Sequence, residues 1–197
     1  MLKSRTLILF CLIALVALAT NLFIDNNGDF ELPRVIAKND PDLYMKNANI
    51  TQYTATGIRQ HKIKAARLTH FPLTNITTLV APFLTLYSTQ QERDPWDISA
   101  DHGRLLPKVQ LREEIVELWE QVHAIQQDKS GNFIDIKTDS LTVYPKQDYA
   151  ETDQKVYIDD NTGRTTAGGM KAYFEAGKFV FFSSDTERVK SILLPPS

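Results

Sequence analysis

Beyond residue 40 the apolar residues of this chain recur at every second position, in short runs bounded by turn formers, and that period commits the region to β structure. The alternation is plain in Ile98 and Ala100, in Val116, Leu118, Val122 and Ala124, and in Ile134, Ile136 and Thr138 followed by Leu141 and Val143. It returns in Met170, Ala172 and Phe174, and in Phe179 and Phe181. Side chains that repeat with period two share one face of a pleated strand, so each run presents an apolar face and a wet one. The runs cover 42–54, 58–71, 76–88, 95–101, 114–125, 132–144, 154–159, 168–175 and 178–184. Thr56-Gly57, Asp94-Pro95, His102-Gly103, Ser130-Gly131-Asn132, Tyr144-Pro145, Asn161-Thr162-Gly163 and Ala176-Gly177 supply turns between them. This spacing predicts an all-β meander of antiparallel strands.

Two stretches compete with that reading. Residues 111–127 (LREEIVELWEQVHAIQQ) are rich in helix formers and carry Leu111, Ile115, Leu118 and Val122 at near-helical spacing. Strand is preferred there, because an isolated helix amid so many hairpin signals is inconsistent with its surroundings. Residues 185–194 read as a final strand or a short tail, closed by Pro195-Pro196.

The N-terminus follows another rule. Residues 7–24 (LILFCLIALVALATNLFI) form an apolar run broken only by Thr20 and Asn21, long enough to cross a hydrocarbon layer of roughly 30 Å as a helix. Lys3 and Arg5 precede it while Asp25, Asp29 and Glu31 follow, so the positive-inside rule puts residues 1–6 in the cytoplasm and the remainder outside. A cleaved signal peptide is the alternative, with Ala17-Leu18-Ala19 as its cleavage site, but the run continues through Leu22-Phe23-Ile24, which suits a retained anchor. Residues 25–39 are polar and turn-rich and read as a linker, leaving 40–197 as one extracytoplasmic β-domain.

Composition removes several classes of function. Lys plus Arg number 22 against 24 Asp plus Glu, a net charge of −2, which is not the basic footprint of a nucleic-acid binder. The one cysteine, Cys11, excludes an internal disulfide and any Cys-based zinc site. No phosphate-binding glycine loop, nucleophile elbow or H-E-x-x-H motif occurs. His61, His70, His102 and His123 are scattered, and Asp101-His102 is the one close acid–imidazole pair, the basis of a minority hydrolase reading. Asp159-Asp160-Asn161 lacks the ligand series of a calcium loop and reads as a turn, and Ser99 and Ser183 have no partner base in reach of the argument. No catalytic residue, metal ligand or cofactor is expected. The inward apolar set is either a filled core or a cavity for an apolar ligand, and the residues alone favour the core.

The order of the landmarks carries more than any one of them. Asn39-Asp40-Pro41 stands ahead of the first strand, followed by Tyr53, Gly57 and Ile63-x-Ala65-x-x-Leu68. Next come Pro82 with Leu84 and Leu86, Trp96-x-Ile98-x-Ala100-Asp101-x-Gly103, and Leu118-x-x-x-Val122. Thr138-x-x-Leu141, Ala150-x-Thr152-Asp153-x-x-Val156 and Gly168-Gly169-Met170-x-Ala172 complete the series. In this order, behind one apolar anchor, they resemble the LptC family, the membrane-anchored component of bacterial lipopolysaccharide export. One departure is Glu120, where the family has Gly in Leu-x-Gly-x-Val; a close backbone approach or small-residue gap is expected to be altered there.

The resemblance implies a twisted, open-ended β-jellyroll of antiparallel strands preceded by one transmembrane helix, with an apolar groove between its two sheets. Bare acyl chains in water would cost roughly 25 cal/mol per Å², so a shielded path is the physical requirement. Taking the parity that the resemblance gives Leu79, the lining would be Ala48, Ile50, Ile63, Ala65, Leu79, Phe83, Ile98, Ala100, Leu118, Val122, Ile136, Val156, Phe174 and Phe179. A slip of one residue would turn half of these outward. By the same resemblance the N-terminal edge, 42–54, and the anchor helix would join the inner-membrane ABC exporter, while the C-terminal edge, 178–193, would join the periplasmic bridge protein. The chain would be a non-enzymatic carrier of lipopolysaccharide, or, in the alternative reading, a structural adaptor with a filled interior.

Overall fold

The period-two runs pair into a 14-stranded antiparallel sheet in the computed structural model, which describes residues 40–88, 93–109 and 112–194. The apolar run at 7–24 and the linker at 25–39 lie outside the described residues, among which no helix is long and apolar enough to cross a membrane. The strands are β1 (Leu43–Tyr53), β2 (Arg59–Phe71), β3 (Ile76–Val80), β4 (Phe83–Leu86), β5 (Trp96–Ser99), β6 (His102–Leu106) and β7 (Ile115–Gln127). They continue as β8 (Phe133–Tyr144), β9 (Tyr149–Thr152), β10 (Val156–Asp160), β11 (Gly163–Ala167), β12 (Gly169–Tyr173), β13 (Lys178–Phe182) and β14 (Lys190–Leu193).

Their pairing resolves into a meander of bent passes. β1, β2, β7 and β8 each make one long pass, while β3–β4, β5–β6, β9–β10, β11–β12 and β13–β14 each make one pass interrupted at its middle. Every pass pairs only with the passes before and after it: β3 and β4 lie on the two halves of β2, and β5 and β6 lie on β4 and β3 and then on the two halves of β7. On the other side of β7, β8 carries β9 and β10, these carry β12 and β11, and those carry β13 and β14. The sheet therefore has two wings that share the long strands. One contains β3, β6, β9, β12 and β13, and the other contains β4, β5, β10, β11 and β14.

The line between the wings is marked by left-handed backbone. Asn47 (φ 51°) lies in mid-β1, Ala81 (φ 48°) joins β3 to β4, and Glu120 and Gln121 (φ 64° and 54°) interrupt β7 where its register against β8 shifts. A left-handed residue turns an extended chain sharply, and a bulge adds twist, so β1, the β3–β4 pass and β7 bend where they cross this line. The inward faces of both wings then merge into one hydrophobic core, from Leu68, Leu79 and Leu141 in one wing to Leu84, Ile98 and Ile136 in the other. Gly103, in β6, packs between Leu79 and Leu118; a Cβ there would stand 2.9 Å from Leu118 Cδ2 and 3.0 Å from the Glu117 carbonyl oxygen.

Residues 111–127 prove to be strand from Ile115 onward, since Val116 and Leu118, then Val122 and Ala124, face the core from a strand paired on both sides. Four expectations are corrected. The run 76–88 divides at Ala81, His102-Gly103 begins β6 rather than a turn, and β9 and β11 fall in segments read as connections. Glu120 meets no packing gap: its side chain is exposed, and the position calls for a left-handed backbone rather than for space.

Candidate functional site

The site to be judged is the apolar interior between the wings. Eleven of the residues expected to line it, Ala48, Ile63, Ala65, Leu79, Ile98, Ala100, Leu118, Val122, Ile136, Val156 and Phe174, are buried in the shared core, and Ile50 and Phe179 pack against it half-buried. Phe83 is the correction. It is 37% exposed on the outer face of β4 with the Lys64 ammonium 5.8 Å from its ring, while Leu84 is 0% exposed and stands between Ile63 and Ile98. The alternation from Leu79 does not carry through Ala81, whose left-handed turn advances the chain by one face. Parity counted back from Ile98 across the β4–β5 pair would have found Leu84. Leu68, Leu86, Trp96, Leu141, Val143 and Met170 also face inward and were not among the residues expected to line the interior.

Along the side opposite the bend line, the two wings end in facing rims. The β2–β3, β6–β7, β8–β9 and β12–β13 connections form one rim, and the β1–β2, β4–β5, β7–β8 and β10–β11 connections form the other. This open side is closed by contacts from rim to rim. His61, inward at the start of β2, brings Nε2 to 3.3 Å from Glu114 Oε1, which comes from the opposite rim just ahead of β7. Burial, and secondarily the Lys146 charge, lowers the His61 imidazole to about 4, so it is neutral at pH 7. Burial raises the Glu114 carboxyl. Glu114 Oε1 has no hydrogen bond despite the short approach, and His61 Nδ1 is buried without a partner, so the contact is close but poorly directed.

A second contact is aromatic. Trp96, at the start of β5, lies 4.9 Å from Phe174 and 6.0 Å from Phe179, ring centre to ring centre, and both phenylalanines belong to the other wing. Around it Arg93 donates to the Glu175 carbonyl oxygen at 2.7 Å, and Ser88 Oγ donates to Glu175 Oε1 at 3.0 Å. A small cleft of about 10 Å³ here is lined by Leu86, Trp96 and Phe174 together with Arg93, Gln126 and Asp148. Burial pushes the Asp148 carboxyl up to about 6, with repulsion from Glu175 adding to it.

The residues weighed for catalysis do not converge. His102 stacks on Trp119 at 6.2 Å and faces Glu120 at 3.6 Å on the exposed surface, so Asp101 is not its partner. The Asp160 carboxylate is occupied by its own turn, accepting from the Thr162 and Gly163 N–H groups at 2.7 and 2.9 Å, while Asp159 pairs with Arg164.

Among the described residues both ends of the meander are unpaired edges: there β1 pairs only with β2, β13 only with β12 and β14 only with β11. Beside β14, Ile192 and Leu194 are exposed and help line a surface cavity of about 460 Å³ with Phe133, Asp159 and Arg164.

Comparison with known proteins gives the arrangement a context. In fold the chain is similar to LptH of Pseudomonas aeruginosa, described as the LptA homologous periplasmic component of the conserved lipopolysaccharide transport device. The TM-score is 0.55 at 9% identity, over 68% of this chain and 95% of that one. A comparison with curated proteins finds no match. The family model for lipopolysaccharide assembly, LptC-related, matches residues 7–186, from the start of the apolar run to beyond β13. The chain belongs to the LptC-related lipopolysaccharide-assembly family.

Proposed function

We propose that this chain carries lipopolysaccharide without chemical change, as an inner-membrane protein with its N-terminus in the cytoplasm, residues 7–24 as a single anchor and residues 40–197 in the periplasm. The observation that carries the reading is the folded sheet itself, whose two wings turn apolar faces toward each other and whose two ends are left unpaired. An unpaired edge accepts a strand from another chain, and strand addition at both ends would make one continuous path for acyl chains. In this reading β1 and the anchor join the inner-membrane ABC exporter, β13 and β14 join the periplasmic bridge protein, and ATP hydrolysed by the exporter drives transfer. The predicted lining, with Leu84 in place of Phe83, is the lipid-contacting surface.

A second reading, a purely structural adaptor, is favoured by the packing of the interior, since Ile98 and Val156 are 0% exposed. One experiment separates the two. A photo-crosslinking residue at Leu79, with the outward Val80 as control, is exposed to lipopolysaccharide in cells, and adducts are detected by immunoblot. Capture at Leu79 alone supports the carrier. Capture at neither position, in a folded chain still bound to its exporter, establishes the adaptor.

A further inference from the structure

An interior that is packed and also receives acyl chains has to open, which parts the core side chains shared by the two wings as well as the contacts between their rims. The wings are continuous through β1, β2, β7 and β8, so they cannot separate along the bend line. Along the opposite side the rims meet through side chains. We propose that this side is a gate, with His61–Glu114 and Trp96–Phe174 as its two clasps, and that acyl chains enter sideways as the clasps part and the wings swing about the bend line. The inference rests on the carrier reading above.

Two observations support it. The clasps are the weaker kind of closure: one is a neutral imidazole beside a carboxylate without a directed hydrogen bond, and the other is a tilted ring pair. Neither resembles the backbone ladders that hold the bend line, so separation starts at the rims. Finally, Asn47, Ala81 and Glu120–Gln121 concentrate left-handed backbone on one line, and such residues absorb the dihedral change of a hinge. Side entry also suits the ligand class. An amphiphile with several acyl chains on a bulky polar head cannot thread end-on through a closed tube without drawing the head through an apolar core.

The test locks the gate in the full-length chain, with Cys11→Ser as background and the photo-crosslinking residue at Leu79. His61→Cys with Glu114→Cys is bridged by a cleavable bis-maleimide, and Arg93→Cys with Glu175→Cys is a second lock that leaves the core untouched. Lys137→Cys with Tyr157→Cys, cross-strand neighbours on one outer face, is the control bridge. Purified lipopolysaccharide in detergent is the ligand, and native folding of each chain is checked by circular dichroism. Bridging either lock is expected to lower capture at Leu79 by about tenfold, because the open population is withdrawn, and cleavage restores it while the control bridge changes nothing. Undiminished capture in both locked chains overturns the gate and leaves the carrier reading standing, with the acyl chains reaching the interior by another route. No capture in the folded, unbridged chains overturns the gate and the carrier reading together.

Discussion

Glu120 holds a φ of 64° in the middle of β7, where a Cβ crowds its own carbonyl and glycine carries no such penalty. Its side chain offers little in return, an exposed pairing with His102 at 3.6 Å. Glu120→Gly is therefore expected to stabilise the domain by about 1 kcal/mol, read as a rise of about 2–4 °C in the thermal midpoint. A lower midpoint would show that the side chain matters more than the backbone. His61 gives a second prediction at this scale. In the unfolded chain its imidazole titrates near 6.5 and in the fold at about 4, so between those values the unfolded chain binds more protons. The stability it contributes is complete above about pH 6.5 and is lost as pH falls toward 4. Asp148 acts in the opposite sense over part of that range, because its carboxyl is raised to about 6. Comparing the parent with His61→Gln cancels that background. Denaturant unfolding at pH 7 and pH 4.5 is expected to show the parent losing on the order of 2 kcal/mol relative to the variant. An unchanged difference would mean that the imidazole is solvated in the native state.

Among the elements, β4 shows what a strand's parity is worth. Leu84→Ala removes a fully buried side chain held between Ile63 and Ile98 and is expected to cost about 3 kcal/mol in urea unfolding. Phe83→Ala, one residue away and facing outward, is expected to cost less than about 1 kcal/mol. Reversed magnitudes would return Phe83 to the interior. The long passes β2 and β8 were legible in the sequence because they have enough alternating positions to fix both type and face, while β7, whose apolar spacing also fits a helix, was read as strand from its surroundings. β11 (GRTTA) and β9 (YAET) were not, since neither has a large aliphatic pair, and β6 opens on His102-Gly103, a turn signal by composition. The bends were illegible for a different reason. Ala81 and Glu120 are not residues that announce a left-handed backbone, and it was at Ala81 that the face count went wrong. Most of the buried inward face could be read from period two once the resemblance had set its parity at Leu79. The clasps could not, because His61 and Glu114 are brought together only by the folding of one wing onto the other.

At the scale of the whole molecule the unpaired ends matter most. Ile192 and Leu193 are 69% and 76% exposed on β14, so Ile192→Asp with Leu193→Asp is expected to leave the thermal midpoint almost unchanged, as surface substitutions do. If β14 is the edge that receives the bridge protein, the same pair of changes abolishes its co-purification while the exporter is retained. Loss of both partners, or of neither, would remove β14 from that role.

The meander itself has a consequence for how the domain comes into being. Because each pass is bonded only to the passes adjacent to it in sequence, the chain can be completed like a row of tiles laid from one side. No backbone pairing has to join an early strand to a late one across a long loop, and loop closure is the step that slows most β proteins. As the polypeptide is synthesised, β1 and β2 can pair before β13 exists, and each later pass finds a finished template waiting.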